Sequence, residues 1–267
     1  MVSIPFVKAH GARNDFLLTW RDGLPQEAAD FPALAVALCD RHSGAGADGW
    51  IVLSASDQAD AAIELWNSDG SRSEISGNGT RCAAALLVES GRAREEIAIA
   101  TGAGIKVLQL LERRRLSFIF EMNMGPVRIE ELRSAIVAGH ETVILNAGNP
   151  QCAVFVASFD FDWRALGAQL ERHPRFPNRT NVSFVHVIDR HTLEVRFFER
   201  GAGVTQSSGT GSTGAAAAAV ARGLAESPVK VLTPAGPLNL RWSSDDILLA
   251  GPAEIVARGE FYWNGTE

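Results

Sequence analysis

Short apolar runs, several of them alternating with polar positions, recur along most of the chain. The segments 61–66 (AAIELW), 96–100 (EIAIA), 105–111 (IKVLQLL), 116–122 (LSFIFEM), 141–147 (ETVILNA), 153–158 (AVFVAS), 181–188 (NVSFVHVI) and 192–198 (TLEVRFF) read as strands. Helical periodicity or small-residue runs predict helices over 32–40, 78–90, 163–172 and 212–222. Gly91 and Gly223 stand just past two of these, where a left-handed C-terminal residue is favoured. The pattern is that of a strand-rich α+β protein.

Two of the helices share an unusual opening. Ser76-Gly-Asn-Gly and Ser208-Gly-Thr-Gly each precede an alanine-rich run, and the two serines are 132 positions apart. The same offset relates Asn67 to Glu199, each at the end of a strand-like segment and each nine residues before its serine. A fainter pair, GARNDFLL from Gly11 and GNPQCAVF from Gly148, sets an Asn beside a Gly ahead of an apolar run. A period of half the chain is too long for a solenoid and predicts two related halves. Each half is expected to be a strand-rich layer wrapped on one apolar, small-residue helix. The expected domains are 1–122, with 256–267 returning to it, and 123–255.

Composition narrows the function classes. The chain has 267 residues, 46% hydrophobic and 21% charged, and a net charge of -6, values of a globular protein without the basic face that nucleic acid requires. No segment approaches the roughly 20 apolar residues of a membrane span. The start, MVSIPFVKAHGARNDF, lacks the features of an export signal. Cys39, Cys82 and Cys152 are odd in number and widely spaced, which argues against a disulfide framework or zinc site and makes a reducing cytoplasm the expected compartment.

A glycine loop feeding a helix leaves backbone N–H groups unpaired at the positive end of the helix dipole, a site for a carboxylate or phosphate. Two such loops on related halves are expected to share one small anion, with Ser76 and Ser208 approaching it from opposite sides. That arrangement suits inversion of a stereocentre, in which one group removes a proton from one face of a carbon and another returns one to the opposite face. The bound anion would be the α-carboxylate of an amino acid. Neither loop has the Lys-Ser/Thr ending of a nucleotide loop or the dinucleotide fingerprint. No histidine lies in either loop to serve a serine nucleophile, and the only carboxylate nearby in sequence is Glu74.

With both loops in view, the chain resembles the diaminopimelate epimerases almost end to end. The resemblance is carried by HGARNDF (His10 onward), CDRHSGAGADG (Cys39 onward), NSDGSRSEISGNGTRC (Asn67 onward), GNPQC (Gly148 onward), NVSFV (Asn181 onward) and ERGAGVTQSSGTG (Glu199 onward). It implies two pseudo-symmetric domains, each a strand barrel around a central helix. It further implies a homodimer, no metal or other cofactor, and a small-molecule amino-acid substrate, 2,6-diaminopimelate, whose LL and meso forms are interconverted on the route to lysine and peptidoglycan. Carried over by position, Asn67, Asn181 and Arg200 hold the distal end of the substrate. Glu199 and Asn149 contact its amino groups, Asn14 lines the site, and Gly77 with Asn78 and Gly209 with Thr210 hold the reacting carboxylate.

The departures fall on the chemistry. The family's pattern has cysteine at the positions of Ser76 and Ser208, histidine at Gln151 and glutamate at Val204. A thiol at a helix start is readily a base, whereas a serine hydroxyl needs a neighbouring base to act. Three accounts fit: a laboratory replacement that traps ligand, a scaffold retained for binding an amino acid, or serines that support another or slower reaction at the same carbon. The exchange of the customary His and Glu, which trapping does not require, favours natural divergence.

Overall fold

The computed structural model describes residues 1–26 and 28–265, and the chain forms two compact units, Met1–Met122 with Gly251–Glu267 and Asn123–Ala250. The first contains strands β1 (Val2–Gly11) and β2 (Asn14–Trp20), helix α1 (Phe31–Cys39), β3 (Gly49–Ser54), β4 (Ala61–Asn67) and the short β5 (Arg72–Ser73). Helix α2 (Gly77–Glu89), β6 (Glu96–Thr101), β7 (Gly104–Arg114) and β8 (Ser117–Pro126) follow, β8 passing into the second unit at Asn123. The second contains β9 (Arg128–Ser134), β10 (Thr142–Asn146), β11 (Pro150–Phe155), α3 (Trp163–Glu171), β12 (Asn181–Asp189), β13 (Thr192–Glu199) and β14 (Gly203–Thr205). It continues with α4 (Gly209–Ala221), β15 (Val229–Thr233), β16 (Gly236–Ser243) and the start of β17 (Asp246–Trp263).

The two units repeat one series of strand pairings. In the first, β1–β2 is antiparallel, β2–β3 parallel, β3–β4 antiparallel, β4–β6 parallel and β6–β7 antiparallel. In the second, β10–β11, β11–β12, β12–β13, β13–β15 and β15–β16 follow the same alternation. Parallel neighbours need a long crossover. Helices α1 and α3 supply the first crossover of each unit, and α2 and α4 the second.

Each unit is thus a strand barrel wrapped around a central helix. In α4, Ala215, Ala216, Ala218 and Ala219 are wholly buried against Val143, Leu145, Val195, Phe197, Val231 and Leu249. Alanine fits there because strands on all sides leave no room for longer side chains, and it is the best helix former. Ala83, Ala84, Ala85 and Leu87 are buried in the same way in α2. Helices α1 and α3 instead pack on outer strand faces, α1 through Leu34 and Leu38 near Trp50, and α3 through Trp163 and Leu170 near Phe184.

The pattern missed β1, β2, β3, β5, β9, β14, β15 and β16, and most of β17. β3 (GWIVLS) is buried along nearly its whole length, so it shows no alternation. β17 is a single 18-residue strand. Its first residues pair with β16 up to Ala250, and from Glu254 it pairs with β1. The chain therefore re-enters the first unit at Gly251 rather than at 256. The strand read at 153–158 lies at Pro150–Phe155.

Candidate functional site

The two glycine loops fold alike. Helices α2 and α4 have the same length, and both bounds are displaced by 132 residues. Ser76 (φ -132, ψ 120) and Ser208 (φ -140, ψ 123) are the N-cap residues, in extended conformation. Each Oγ accepts the N–H of the residue three along, Gly79 or Gly211, at 3.1 Å. That cap uses one of the free N–H groups of each helix. Those of Gly77 and Asn78, and of Gly209 and Thr210, lie at the first two helical positions and have no intrahelical acceptor.

The glycines within each loop are not equivalent. A Cβ on Gly211 would meet Phe197 Cδ1 at 2.8 Å, and one on Gly79 would meet Ile51 Cδ1 at 3.0 Å, so packing excludes a side chain at both. A Cβ on Gly77 or Gly209 would find only a methionine methyl or similar atom at 3.5 Å or beyond. Packing leaves room for a side chain at the first helical position, and glycine keeps that space free for a ligand to approach the backbone.

In the first unit, the polar residues around the α2 start form one connected array. Asn78 Nδ2 donates to Asn14 Oδ1 at 3.2 Å, and Asn14 Nδ2 donates to Asp48 Oδ2 at 2.7 Å. Arg41 bridges Asp48 and Asp15, at 2.8 and 2.7 Å. Burial works to raise the Asp15 pKa, but Arg41 and Lys8 together hold it below the ordinary range. From the other side the fully buried Arg81 donates to Asn78 Oδ1, and its Nε donates to the carbonyl of Pro252 at 3.2 Å. Burial pushes the Arg81 pKa down to about 10, so the guanidinium remains charged at neutral pH. Asn67 is turned aside, its Nδ2 donating to Ser71 Oγ at 2.9 Å. Glu74 is exposed, and no hydrogen bond joins it to Ser76 among the described residues.

The second unit brings together the other expected residues. Asn149 Nδ2 and Gln151 Nε2 each donate to Thr210 Oγ1 at 3.3 Å, and Gln151 also donates to Asn149 Oδ1 at 2.7 Å. Asn181 Oδ1 accepts the backbone N–H of Arg200 at 3.0 Å, while its Nδ2 donates to the carbonyl of Pro150 at 3.0 Å. The Arg200 side chain is exposed and reaches the carbonyl of Asn178 at 3.2 Å. The corner after Arg200 is pinned by buried Glu171, which accepts the N–H of Gly201 at 3.2 Å and pairs with Arg179.

One contact was not expected from sequence. Ser208 Oγ donates to Glu199 Oε2 at 2.9 Å, and Thr205 Oγ1 donates to Glu199 Oε1 at 2.5 Å. The pairing of β13 with β14, Glu199 opposite Gly203, folds the chain back and closes this contact. Burial raises the Glu199 pKa, and the two hydroxyl hydrogen bonds offset only part of that rise. The nine-residue spacing from Glu199 to Ser208 was visible, but not the tight reversal between them. Arg81 and Asp48 were also missed as supports of Asn78 and Asn14, although both lie in the segments that carried the resemblance.

The diaminopimelate epimerase family model matches residues 6–130 and 143–256. The chain belongs to the diaminopimelate epimerase family. Curated diaminopimelate epimerases are similar over their whole length. That of Moorella thermoacetica is 38% identical over 96% of this chain and 98% of its own, and that of Pelotomaculum thermopropionicum 36% over the same shares. Among solved structures, a phenazine biosynthesis protein of the PhzF family from Bacillus anthracis superposes with a TM-score of 0.74 at 16% identity, covering 97% of this chain and 99% of that one. A hydroxyproline epimerase from Agrobacterium vitis, solved with trans-4-hydroxy-L-proline, gives 0.68 at 16% identity, covering 97% and 92%. These two share the fold. By family the chain is an isomerase of the epimerase class, and no helix among its described residues is long and apolar enough to cross a membrane.

Proposed function

We propose that the chain is a cofactor-independent amino-acid epimerase of diaminopimelate epimerase type. Ser76 and Ser208 stand in its two acid/base positions and serve one α-carbon. The duplicated serine-capped helix start carries this reading. Each copy leaves two N–H groups free beside a glycine whose side-chain space is open, a cradle for a carboxylate and for the charge that develops on it when the α-proton leaves. Asn78 and Thr210 complete the two cradles, and Asn14 lines the first. Asn67, Asn181 and Arg200 take the distal end of the substrate, and Asn149 and Glu199 its amino groups. The substrate is diaminopimelate or a close relative, the working form is a homodimer, and the compartment is the cytoplasm.

A second reading, a catalytically silent amino-acid-binding homologue, is favoured by the setting of Ser76, whose hydroxyl oxygen accepts the Gly79 N–H as a helix cap. Nor do the three cysteines replace the missing thiols, since burial pushes each up to about 12.

Titration calorimetry with LL- and meso-diaminopimelate, alanine and proline tests the shared part of both readings. The expected result is selective binding of diaminopimelate; equal affinity for alanine removes that substrate. Conversion of the LL to the meso isomer then separates epimerase from silent homologue.

A further inference from the structure

The acid/base positions of the two halves differ in what stands behind the serine. Ser208 donates its hydroxyl hydrogen to the Glu199 carboxylate at 2.9 Å, and the other Glu199 oxygen is occupied by Thr205. In the first half the position matching Glu199 is Asn67, nine residues before Ser76, a neutral amide that donates to Ser71 instead. Among the described residues, no carboxylate or imidazole accepts the Ser76 hydroxyl. Only one of the two serines therefore has an outlet for a proton.

Resting on the reading of this site as an amino-acid epimerase site, we infer that its two faces are unequal: through a Ser208–Glu199 relay the chain exchanges the α-proton with retention of configuration faster than it inverts the carbon. As the Cα–H bond breaks, its proton passes to Ser208 Oγ and the serine's own proton passes to Glu199 Oε2. The electron pair stays on the substrate, delocalised into the carboxylate held at the helix starts. No free alkoxide forms, because Oγ gains one proton as it loses another. The base is Glu199, and the serine transmits the proton. Glu199 then exchanges its proton with solvent, and the relay runs backwards to reprotonate the carbon from the same side. Inversion is the slower outcome, because it requires a proton from Ser76, and among the described residues no acid stands beside that hydroxyl to return one.

The experiment incubates the full chain in heavy water with LL-, DD- and meso-diaminopimelate separately. It follows loss of the α-proton signal by NMR and configuration by chiral separation, with calorimetry on the same samples. The relay predicts that only one of the LL and DD isomers loses its α-proton, and that it does so well ahead of any formation of meso product. Glu199→Gln should slow that exchange by at least about a hundredfold, the lower end for one positioned acid/base group. Exchange by this variant is measured at diaminopimelate concentrations that calorimetry shows to be saturating, which separates loss of the base from weaker contact with the substrate's amino groups. Deuterium entry no faster than inversion, exchange of both isomers at similar rates, or undiminished exchange in Glu199→Gln overturns the relay. Binding without exchange overturns the relay but leaves the amino-acid site standing, whereas failure to bind any isomer overturns both.

Discussion

Ser208 and Glu199 are joined by a 2.9 Å hydrogen bond in which the serine donates, and the same serine oxygen accepts the N–H of Gly211 at 3.1 Å. One hydroxyl thus caps a helix and contacts a partly buried carboxylate. Ser76 has the same cap, but among the described residues no carboxylate accepts its hydroxyl. The family's two-fold repeat is kept in the backbone and broken in the chemistry.

The Glu199 carboxyl gives this contact a signature in stability. Burial raises its pKa, and it accepts hydrogen bonds from the neutral hydroxyls of Thr205 and Ser208, while neighbouring Arg200 turns to the Asn178 carbonyl. Below about pH 4, near the ordinary carboxylate pKa, both folded and unfolded chains hold the proton. As pH rises further the unfolded chain releases it first, so the contribution is largest at acid pH and is lost as pH climbs through the raised folded value. Thermal melts from pH 4 to 8 should show the wild type losing stability relative to Glu199→Gln across that window. A difference independent of pH would show that Glu199 ionises normally.

Much of this arrangement was legible in the sequence where periodicity or repetition was strong. Helices α2 and α4 announced themselves through the paired Ser-Gly-Xaa-Gly starts and terminal glycines, and the strand ends at Asn67 and Glu199 followed from alternation ahead of them. β3 was illegible because burial on both faces removes its alternation, and β17 because the exposed residues near its end mask one continuous strand. The Ser208–Glu199 contact depends on the reversal at β14, three residues long, which leaves too short a pattern to read. Proximity along the chain pointed to Glu74, but that side chain is exposed.

The three thiols should be inert in the native protein. Cys39, Cys82 and Cys152 are buried, and burial pushes each up to about 12. An ordinary thiol titrates near 8.5, so below roughly that pH both states are protonated. Between there and about 12 the unfolded chain ionises while the folded chain does not, and stability falls as pH rises. Labelling with a thiol reagent should proceed at the rate of unfolding, and denaturant midpoints should decline above about pH 8.5. Rapid labelling of native protein at neutral pH would contradict this burial.

Arg200 offers a separate test of recognition. Its backbone is fixed by Asn181, while its guanidinium is exposed and holds only a carbonyl. If it takes the distal carboxylate of the substrate, Arg200→Ala should weaken diaminopimelate binding by about 1.5–3 kcal/mol, the range for a hydrogen bond to a charged group. Affinity for a monocarboxylic amino acid should be nearly unchanged. A calorimetric loss equal for both ligands would place the effect in the fold of the corner rather than in recognition.

Restoring the thiols tests the chemistry itself. A cysteine at either N-cap meets a helix start, which favours the thiolate and so supplies a base that serine lacks. Sulfur caps less well than oxygen, so each change should cost at most about 0.5–2 kcal/mol of stability, the range for losing a cap. Ser76→Cys with Ser208→Cys should raise α-proton exchange by at least about a hundredfold and couple it to inversion. The single changes should each restore less, and in different ways. Ser76→Cys equips the face without a relay, so inversion should become detectable. Ser208→Cys leaves that face without a base, so exchange should occur with little inversion. Proton NMR in heavy water with chiral product analysis distinguishes all four proteins. Equal rates for the native serine chain and the double cysteine variant would show that a base outside both loops performs the reaction.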